Sequence, residues 1–356
     1  MMISRSIETE LCQTVASAIK NKTVLNICAG NSKTFLGHSV KGRRLDVSGH
    51  QGIINYHPSE LVITARCGTP LHTIKDVLAE KGQMLAFEPP AFAPQATLGG
   101  TIACGLSGSR RPFTGSARDF VLGCKILDGR GDVLSFGGEV MKNVAGYDVV
   151  RLMTGAMGTL GVILEVSLKV LPLPEMEMTT VREMPFEQAQ KIMQSLRLQS
   201  IPVSAIAYLE GQLFVRFSGV EPAVNKAVQQ TGGEPLGQDS VFWEQLNEQQ
   251  HEFFNSRRNL WRISVPPATG PLALSGDWLF DWGGALRWLK SDESPAAVFQ
   301  QAAQQQGHAV LFRPEKHGQE QIFQPLVDSL KQLHRKLKKS FDPPGIFNPG
   351  RMYREI

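Results

Sequence analysis

The sequence predicts an α+β protein of two domains, and three observations support this prediction. Of the 34 glycines, 21 precede residue 175 and 14 lie between Gly99 and Gly161, so the first half is rich in tight turns. A proline cluster at 172–174 then interrupts the pattern. Beyond it, helical segments alternate with hairpin-like strands, which is typical of helices packed on an antiparallel sheet. The 356 residues are enough for two hydrophobic cores.

Apolar periodicity and turn residues predict the elements of the first domain. They are short strands around a loop over 23–47, a strand over 59–66, a helix over 70–81 beginning near Pro70, a hairpin over 120–136 turning at 128–131, and a strand over 159–170.

The same reasoning predicts a different arrangement after the proline cluster, which we place at the domain boundary. The elements are helices over 187–198, 221–230 and 295–306, strands over 204–209, 212–217 and 308–313, a strand near 278–282, a helix over about 320–339, and an extended proline-rich tail.

Composition excludes several classes of protein. The net charge of +4 is too small to indicate nucleic-acid binding by itself. The five cysteines form no C-x-x-C pair, so the sequence contains neither a zinc nor an iron–sulfur motif, and we predict no metal site. Their odd number and irregular spacing favour free thiols in a reducing compartment. We find no signal peptide and no run of about 18 apolar residues, and therefore expect a cytoplasmic protein.

Three glycine-bearing stretches are the candidate ligand-binding segments, since the G-x-G-x-x-G and P-loop signatures are absent. The first, Ile27–Thr34, offers consecutive backbone N–H groups that suit a pyrophosphate or belong to an ordinary turn. The second, Thr97–Gly105, continues to Ser107 and pairs glycines with small residues, so that a flat ligand can lie against main chain. The third runs over 142–162 and suits sheet packing as well as ligand contact.

These stretches, in this order, resemble the FAD-binding family named for vanillyl-alcohol oxidase and p-cresol methylhydroxylase. The resemblance covers about residues 20–174 and the tail, through TLGGTIA, KNVAGYD, GAMGTLGVI and DPPGIFNPGRM. GNSKTFLG, KNVAGYDVVRLMTGAMGTLGV and DWGGALRWL are similar to FAD subunits of bacterial glycolate oxidases. The resemblance implies a two-part FAD domain over 1–174, an α+β cap domain over 175–315, and a segment over 316–356 that returns to the FAD domain.

The resemblance also implies the cofactor-binding residues. They are the pyrophosphate loop Ala29, Gly30, Asn31, Ser32 and Lys33, the phosphate and flavin segment Thr97, Gly99, Gly100, Thr101, Cys104, Gly105 and Ser107, and the backbone contacts Gly161 and Val162.

Two departures from the family pattern concern the first loop. Relatives begin it with Arg-Gly-Gly, whereas this chain has Cys28-Ala29-Gly30. The missing guanidinium removes a strong phosphate contact, and Ala29 requires a negative φ at its position. Relatives with covalent flavin carry a histidine near Asn31, and this chain has none, so we expect non-covalent FAD.

The resemblance implies a role in oxidising glycolate to glyoxylate. Catalytic 2-hydroxy-acid dehydrogenases of the family carry H-x-G-D-G-N-x-H in the cap domain, and this sequence lacks it. We therefore expect an accessory or electron-relay subunit that assembles with a paralogous catalytic FAD subunit and an iron–sulfur subunit. The alternatives are a self-sufficient FAD-dependent 2-hydroxy-acid dehydrogenase and a scaffold subunit without flavin.

Arg313 and His317 are the candidate catalytic residues, as carboxylate ligand and base; a solvated loop pair is the alternative. Three tryptophans between Trp278 and Trp288 indicate a subunit interface or, more simply, cap-domain core. The basic segment 331–339 is either a solvated helix face or a surface for an acidic partner or peripheral membrane contact.

Overall fold

The computed structural model describes residues 6–138, 148–237, 239–315 and 321–356. These residues form two compact units. The first comprises the described residues of Met1–Leu106, Ser116–Pro172 and Pro325–Ile356, and the second those of Ser107–Gly115 and Leu173–Gln324.

The elements of the first half are short and end in turns. In chain order they are α1 (Ile7–Asn21), β1 (Leu25–Cys28), β2 (Arg43–Asp46), β3 (Ile53–His57), β4 (Val62–Arg66), α2 (Leu71–Ala79), β5 (Gln83–Met84), α3 (Leu98–Cys104), α4 (Arg111–Thr114), α5 (Ala117–Phe120), β6 (Val121–Leu127), β7 (Val133–Gly137), α6 (Val149–Met153), β8 (Val162–Lys169) and β9 (Leu171–Pro172).

The second half contains longer strands and helices. They are β10 (Met176–Glu183), α7 (Phe186–Leu198), β11 (Val203–Leu209), β12 (Gln212–Gly219), α8 (Glu221–Thr231), β13 (Glu234–Pro235), α9 (Asp239–Asn247), β14 (Leu260–Ser264), β15 (Asp277–Asp281), β16 (Leu286–Lys290), α10 (Pro295–Gln304), β17 (His308–Arg313) and α11 (Asp328–Phe341).

The first unit is built on an antiparallel sheet with the described strand order β3-β4-β8-β6-β7. The central strand β8 is buried on both faces, and its side chains pack with α2, α3 and α6 in one core. A separate parallel pair, β1 and β2, encloses the loop over 29–42 between its strands. The C-terminal tail extends this pair, because Phe347 bridges in parallel to Leu25. Loop and tail lie side by side, because the N–H of His38 in the loop donates to the carbonyl of Arg351 in the tail at 2.9 Å.

The second unit is built on an antiparallel sheet whose described strands follow the order β13-β10-β12-β11-β15-β16-β14-β17. Helices α7 and α8 cover one core, around Phe217 and Val224, and α10 covers another, around Trp261 and Val298. Helices on an antiparallel sheet confirm the predicted α+β class. Trp282 and Trp288 are buried, 3% and 8% exposed, as expected of core residues.

Several elements differ from the sequence predictions. The predicted strand over 59–66 begins only at Val62, because Pro58–Glu60 forms a 3-10 turn and Leu61 adopts a φ of 56°. The predicted helix over 320–339 begins at Asp328, since Pro325 disfavours helical backbone just before it. Helices α1 and α9 and strands β10, β14 and β16 were not predicted. In β16 four of five residues are buried, so the strand has no alternating pattern to detect.

Candidate cofactor-binding site

The first unit contains a cleft between the loop after β1, the start of α3 and the C-terminal tail. Its main chamber has a volume of about 440 Å³, within the usual range of small-molecule sites. A second chamber of about 80 Å³ shares Gly100, Met157 and Asn348 with it, so the two adjoin.

All five residues predicted for the pyrophosphate loop line the main chamber: Ala29, Gly30, Asn31, Ser32 and Lys33. The positive φ in this loop falls on Asn31, at 56°, and Ala29 has none, so the alanine is compatible with the backbone. Within the described chain, the backbone N–H groups of Gly30, Asn31 and Ser32 donate no hydrogen bond to another backbone group. These consecutive donors form a nest suited to an anion.

Lys33 adds a positive charge beside this nest. Its side chain is buried at 6% exposed, and Nζ donates to the carbonyl of Ala91 at 3.2 Å and to Oγ of Ser32 at 3.3 Å. The ammonium also lies 5.6 Å from the centre of the Phe92 ring. These contacts hold the ammonium in place before any ligand binds. A fixed positive charge beside the nest favours the binding of a phosphate group.

The second predicted segment is divided between the cleft and its surroundings. Thr97, Gly100 and Cys104 line the main chamber, and Gly99 and Gly100 line the smaller one. Thr97 caps α3, because its Oγ1 accepts a hydrogen bond from the N–H of Gly100 at 3.3 Å. A Cβ built at Gly100 meets only that oxygen within 4 Å, so a larger residue there would fill the cleft.

Of the other predicted residues, Thr101, Gly105, Ser107 and Val162 line neither chamber. Thr101 is 1% exposed in α3, and its Oγ1 has no hydrogen-bond partner in the described structure. Gly105 ends α3 with a φ of 62°, and Ser107 belongs to the second unit. Gly161 lines the smaller chamber, whereas Val162 is fully buried in β8. The predicted motif over 142–148 lies, except for Asp148, outside the described residues.

Three cleft residues come from segments to which the sequence analysis assigned no binding role. Asn348 and Arg351 belong to the tail, and Arg44 to β2. The Arg351 guanidinium donates to the carbonyl of His38 at 2.8 Å, and burial lowers its pKa. Arg44 pairs with Asp46 at 2.5 Å. Two guanidiniums therefore reach the cleft although the loop itself lacks the arginine of its relatives.

Asn348 connects the tail to both walls of the cleft. It is 4% exposed, its Oδ1 accepts from the N–H of Ile27 at 2.8 Å, and its Nδ2 donates to the carbonyl of Met157 at 2.8 Å. Its φ of 40° is one that asparagine adopts more readily than most residues. This side chain therefore sets the spacing between β1 and the loop at 157.

We expect Asn348→Asp to weaken this connection. The carboxylate cannot donate to the Met157 carbonyl and faces it with a negative charge, so unfolding free energy should fall by about 1–3 kcal/mol. FAD affinity should fall about tenfold, which corresponds to about 1.4 kcal/mol. Urea unfolding and a flavin-fluorescence titration measure the two effects. The exposed Asn255→Asp is the matched control, and equal behaviour of both variants would contradict the assigned role.

Comparisons with known proteins agree with this geometry. Residues 6–137 match the FAD binding domain family. The glycolate oxidase subunit GlcE of Escherichia coli (strain K12) is 49% identical over 346 residues, which is 97% of this chain and 97% of that protein. This chain belongs to the GlcE family. The resemblance predicted from the sequence is thereby confirmed, as are FAD as cofactor and the oxidoreductase class.

Two further matches cover this GlcE-family chain to different extents. The glycolate oxidase subunit GlcD of Bacillus subtilis (strain 168) is 31% identical over 155 residues, 43% of this chain and 32% of that protein. A solved alkyldihydroxyacetonephosphate synthase has a TM-score of 0.66 at 15% identity, covering 96% of this chain and 74% of the synthase. That likeness establishes the shared fold.

The cleft fits the cofactor of this family. Its nest, Lys33 and two arginines offer donors for a pyrophosphate, and Gly99 and Gly100 leave main chain open to a flat ring. The lining includes the thiols of Cys28 and Cys104. Burial raises the pKa of both thiols, which keeps them protonated and poorly nucleophilic.

Of the two candidate catalytic residues, the structure describes Arg313, which does not line the cleft. Arg313 ends β17 in the second unit, where it pairs in register with Leu260, and burial lowers the pKa of its guanidinium. His317 lies outside the described residues. In the described part of the chain, no helix is both long and apolar enough to cross a bilayer.

Proposed function

We propose that this chain is an FAD-binding accessory subunit of a complex that oxidises glycolate to glyoxylate. Its identity to GlcE over nearly the full length of both chains carries the proposal. The lack of the histidine-rich motif of catalytic relatives supports an accessory or electron-relay role. In this proposal a paralogous GlcD-type FAD subunit performs the main oxidation, and an iron–sulfur subunit accepts electrons. Any membrane attachment is peripheral and made through the complex.

The residues of the cleft have distinct roles in this proposal. The N–H groups of Gly30, Asn31 and Ser32, with Lys33, hold the pyrophosphate, and Arg351 adds charge from the tail. Gly99, Gly100 and Gly161 allow the rings to lie against backbone. Bound FAD supplies an acceptor for one or two electrons. The protein's own contribution is to bind and orient it.

The FAD is expected to be bound without a covalent link, because residues 27–34 include no histidine and the two cleft thiols stay protonated. Acid precipitation of the purified chain should then leave all flavin in the supernatant. Flavin that remains with the pellet after washing would contradict the prediction. Cys104→Ser should retain FAD to the same extent as the unmodified sequence.

The visible spectrum of the chain alone, before and after anaerobic addition of glycolate, tests the accessory role. Flavin bands that persist with glycolate, and bleach when the GlcD-type partner is added, are the expected result. Bands that bleach in the isolated chain would show a self-sufficient dehydrogenase and overturn the accessory role. A chain that is colourless and binds no added FAD would overturn the whole proposal.

A further inference from the structure

Three potential metal ligands converge on one side of the first unit. Glu8 lies in the first turn of α1, His50 in the turn after β2, and Glu165 on β8. One ligand atom from each lies within 4.8 Å of the others. None of the three lines the FAD cleft as described above.

His50 is the unusual member of this cluster. Its side chain is 6% exposed, and Nε2 has no hydrogen-bond partner in the described structure. The nearest carboxylate oxygen, Oε2 of Glu8, is 4.0 Å away, too far for a hydrogen bond. A buried ring nitrogen without a partner costs stability unless something binds it.

The cluster already holds a cation. Lys125, on β6, places Nζ 2.8 Å from Oε1 of Glu8 and 3.3 Å from Oε1 of Glu165. Two carboxylates share this one ammonium, and Arg66 on β4 donates to the carbonyl of Gln51. The ammonium donates to the two glutamates, and Nε2 of His50 remains without a hydrogen-bond partner in the described structure.

We propose that Glu8, His50 and Glu165 form a binding site for a divalent transition-metal cation of the Zn²⁺ type, which replaces the Lys125 ammonium. A mixed nitrogen and oxygen ligand set favours such a cation over Mg²⁺ or Ca²⁺. Two carboxylates and a neutral imidazole balance its charge.

The geometry needs only small adjustments. Tetrahedral zinc with bonds of about 2.0–2.1 Å places its ligand atoms about 3.3 Å apart, so the three side chains close by about 1.5 Å or less. The side chains of both glutamates are partly exposed and flexible, so their carboxylates can move by this distance. The partly exposed Lys125 side chain can turn towards solvent. The cation would fasten α1 to the sheet.

Calorimetric titration of the full chain with Zn²⁺ and with Co²⁺ tests the proposal. The chain carries no affinity tag of histidines and is first stripped with a chelator, and its FAD content is recorded. We expect one equivalent to bind, at least tenfold more weakly in His50→Gln. His57→Gln, an exposed histidine on β3 of the same unit, is the matched control and should bind like the unmodified chain.

Lys125→Met provides the decisive second variant. Removal of the competing ammonium should strengthen Zn²⁺ binding at least tenfold and increase the rise in melting temperature on adding Zn²⁺. Affinity that is unchanged in both His50→Gln and Lys125→Met would overturn the proposal. So would the absence of binding to both the unmodified chain and Lys125→Met. Either result leaves the FAD proposal intact, because flavin content is measured separately.

Discussion

Gly30→Ala is expected to abolish FAD binding. A Cβ at this position would lie 1.6 Å from the carbonyl oxygen of Gln95 and 2.6 Å from its carbon. These are backbone atoms and cannot turn aside as a flexible side chain does, so the loop must move by more than 1 Å. This movement displaces the N–H groups of Asn31 and Ser32, and the nest is lost. We expect FAD affinity to fall by at least about a hundredfold, or about 2.7 kcal/mol.

Stability should fall with it, by about 1–3 kcal/mol as for other overpacked sites. Flavin content after purification, an FAD titration and urea unfolding give the three readouts. Gly270→Ala is the matched control, since a Cβ there meets nothing within 4 Å. If Gly30→Ala retains FAD as well as Gly270→Ala does, the assignment of this loop to the pyrophosphate is wrong.

The position of this loop could be predicted from the sequence for a physical reason. A short apolar strand followed by Ala-Gly-Asn-Ser-Lys leaves few conformations other than an exposed turn between strands. The hairpin of β6 and β7, the helix after Pro70 and the paired strands β11 and β12 were predictable on the same local grounds, and the structure contains them.

The other wall of the cleft could not be predicted from the sequence, because it is assembled from segments that lie far apart in the chain. Asn348 lies 321 residues after its partner Ile27, and nothing local to either residue announces the contact. The proline-rich composition of 341–352 predicts an extended tail, which is compatible with a strand-like bridge to Leu25 but does not identify its neighbour. Arg351 likewise supplies a guanidinium that the first loop lacks.

Helix α1 and strand β14 were not predicted, although the sequence contains part of the pattern of each. Helix α1 carries its buried residues Leu11, Val15 and Ala18 at the spacing of one helical face, and Ser6 caps it by accepting from the N–H of Thr9. That pattern is present in the sequence, but it contains few large apolar residues and therefore gives a weak helix signal. Strand β14 was not predicted for a different reason. Four apolar residues in Leu260–Val265 are buried, and only Arg262 and Ser264 mark the alternation of apolar and polar residues that is typical of a strand.

Asp342→Asn is expected to cause a large loss in the free energy of unfolding, although Asp342 does not line the cleft. Asp342 is 1% exposed, and its carboxylate accepts from Nζ of Lys338 at 2.8 Å and from the N–H groups of Ile346 and Phe347 at 3.1 and 2.8 Å. Lys338 also donates to the carbonyls of Thr159 and Phe347. The pair therefore joins α11, the loop before β8 and the tail that carries Asn348.

Loss of the carboxylate charge leaves the Lys338 ammonium buried without an ionic partner. Burial already lowers the pKa of Lys338, and Asp342 is the group that opposes this effect. Breaking a buried pair costs about 3–5 kcal/mol, and we expect a loss of this size in urea unfolding, together with reduced FAD retention. The exposed pair of Lys331 and Glu355, 2.6 Å apart, is the control: Glu355→Gln should cost about 0–1 kcal/mol.

A double variant separates the charge from the packing. Lys338→Met combined with Asp342→Asn removes both charges, so it should be more stable than Asp342→Asn alone even though it lacks one more native side chain. Equal or lower stability of the double variant would show that the hydrogen bonds of Lys338 to the two carbonyls, and not its charge pairing, stabilise the tail. In either case FAD retention should follow the stability of the tail, because the tail supplies Asn348 and Arg351 to the cleft.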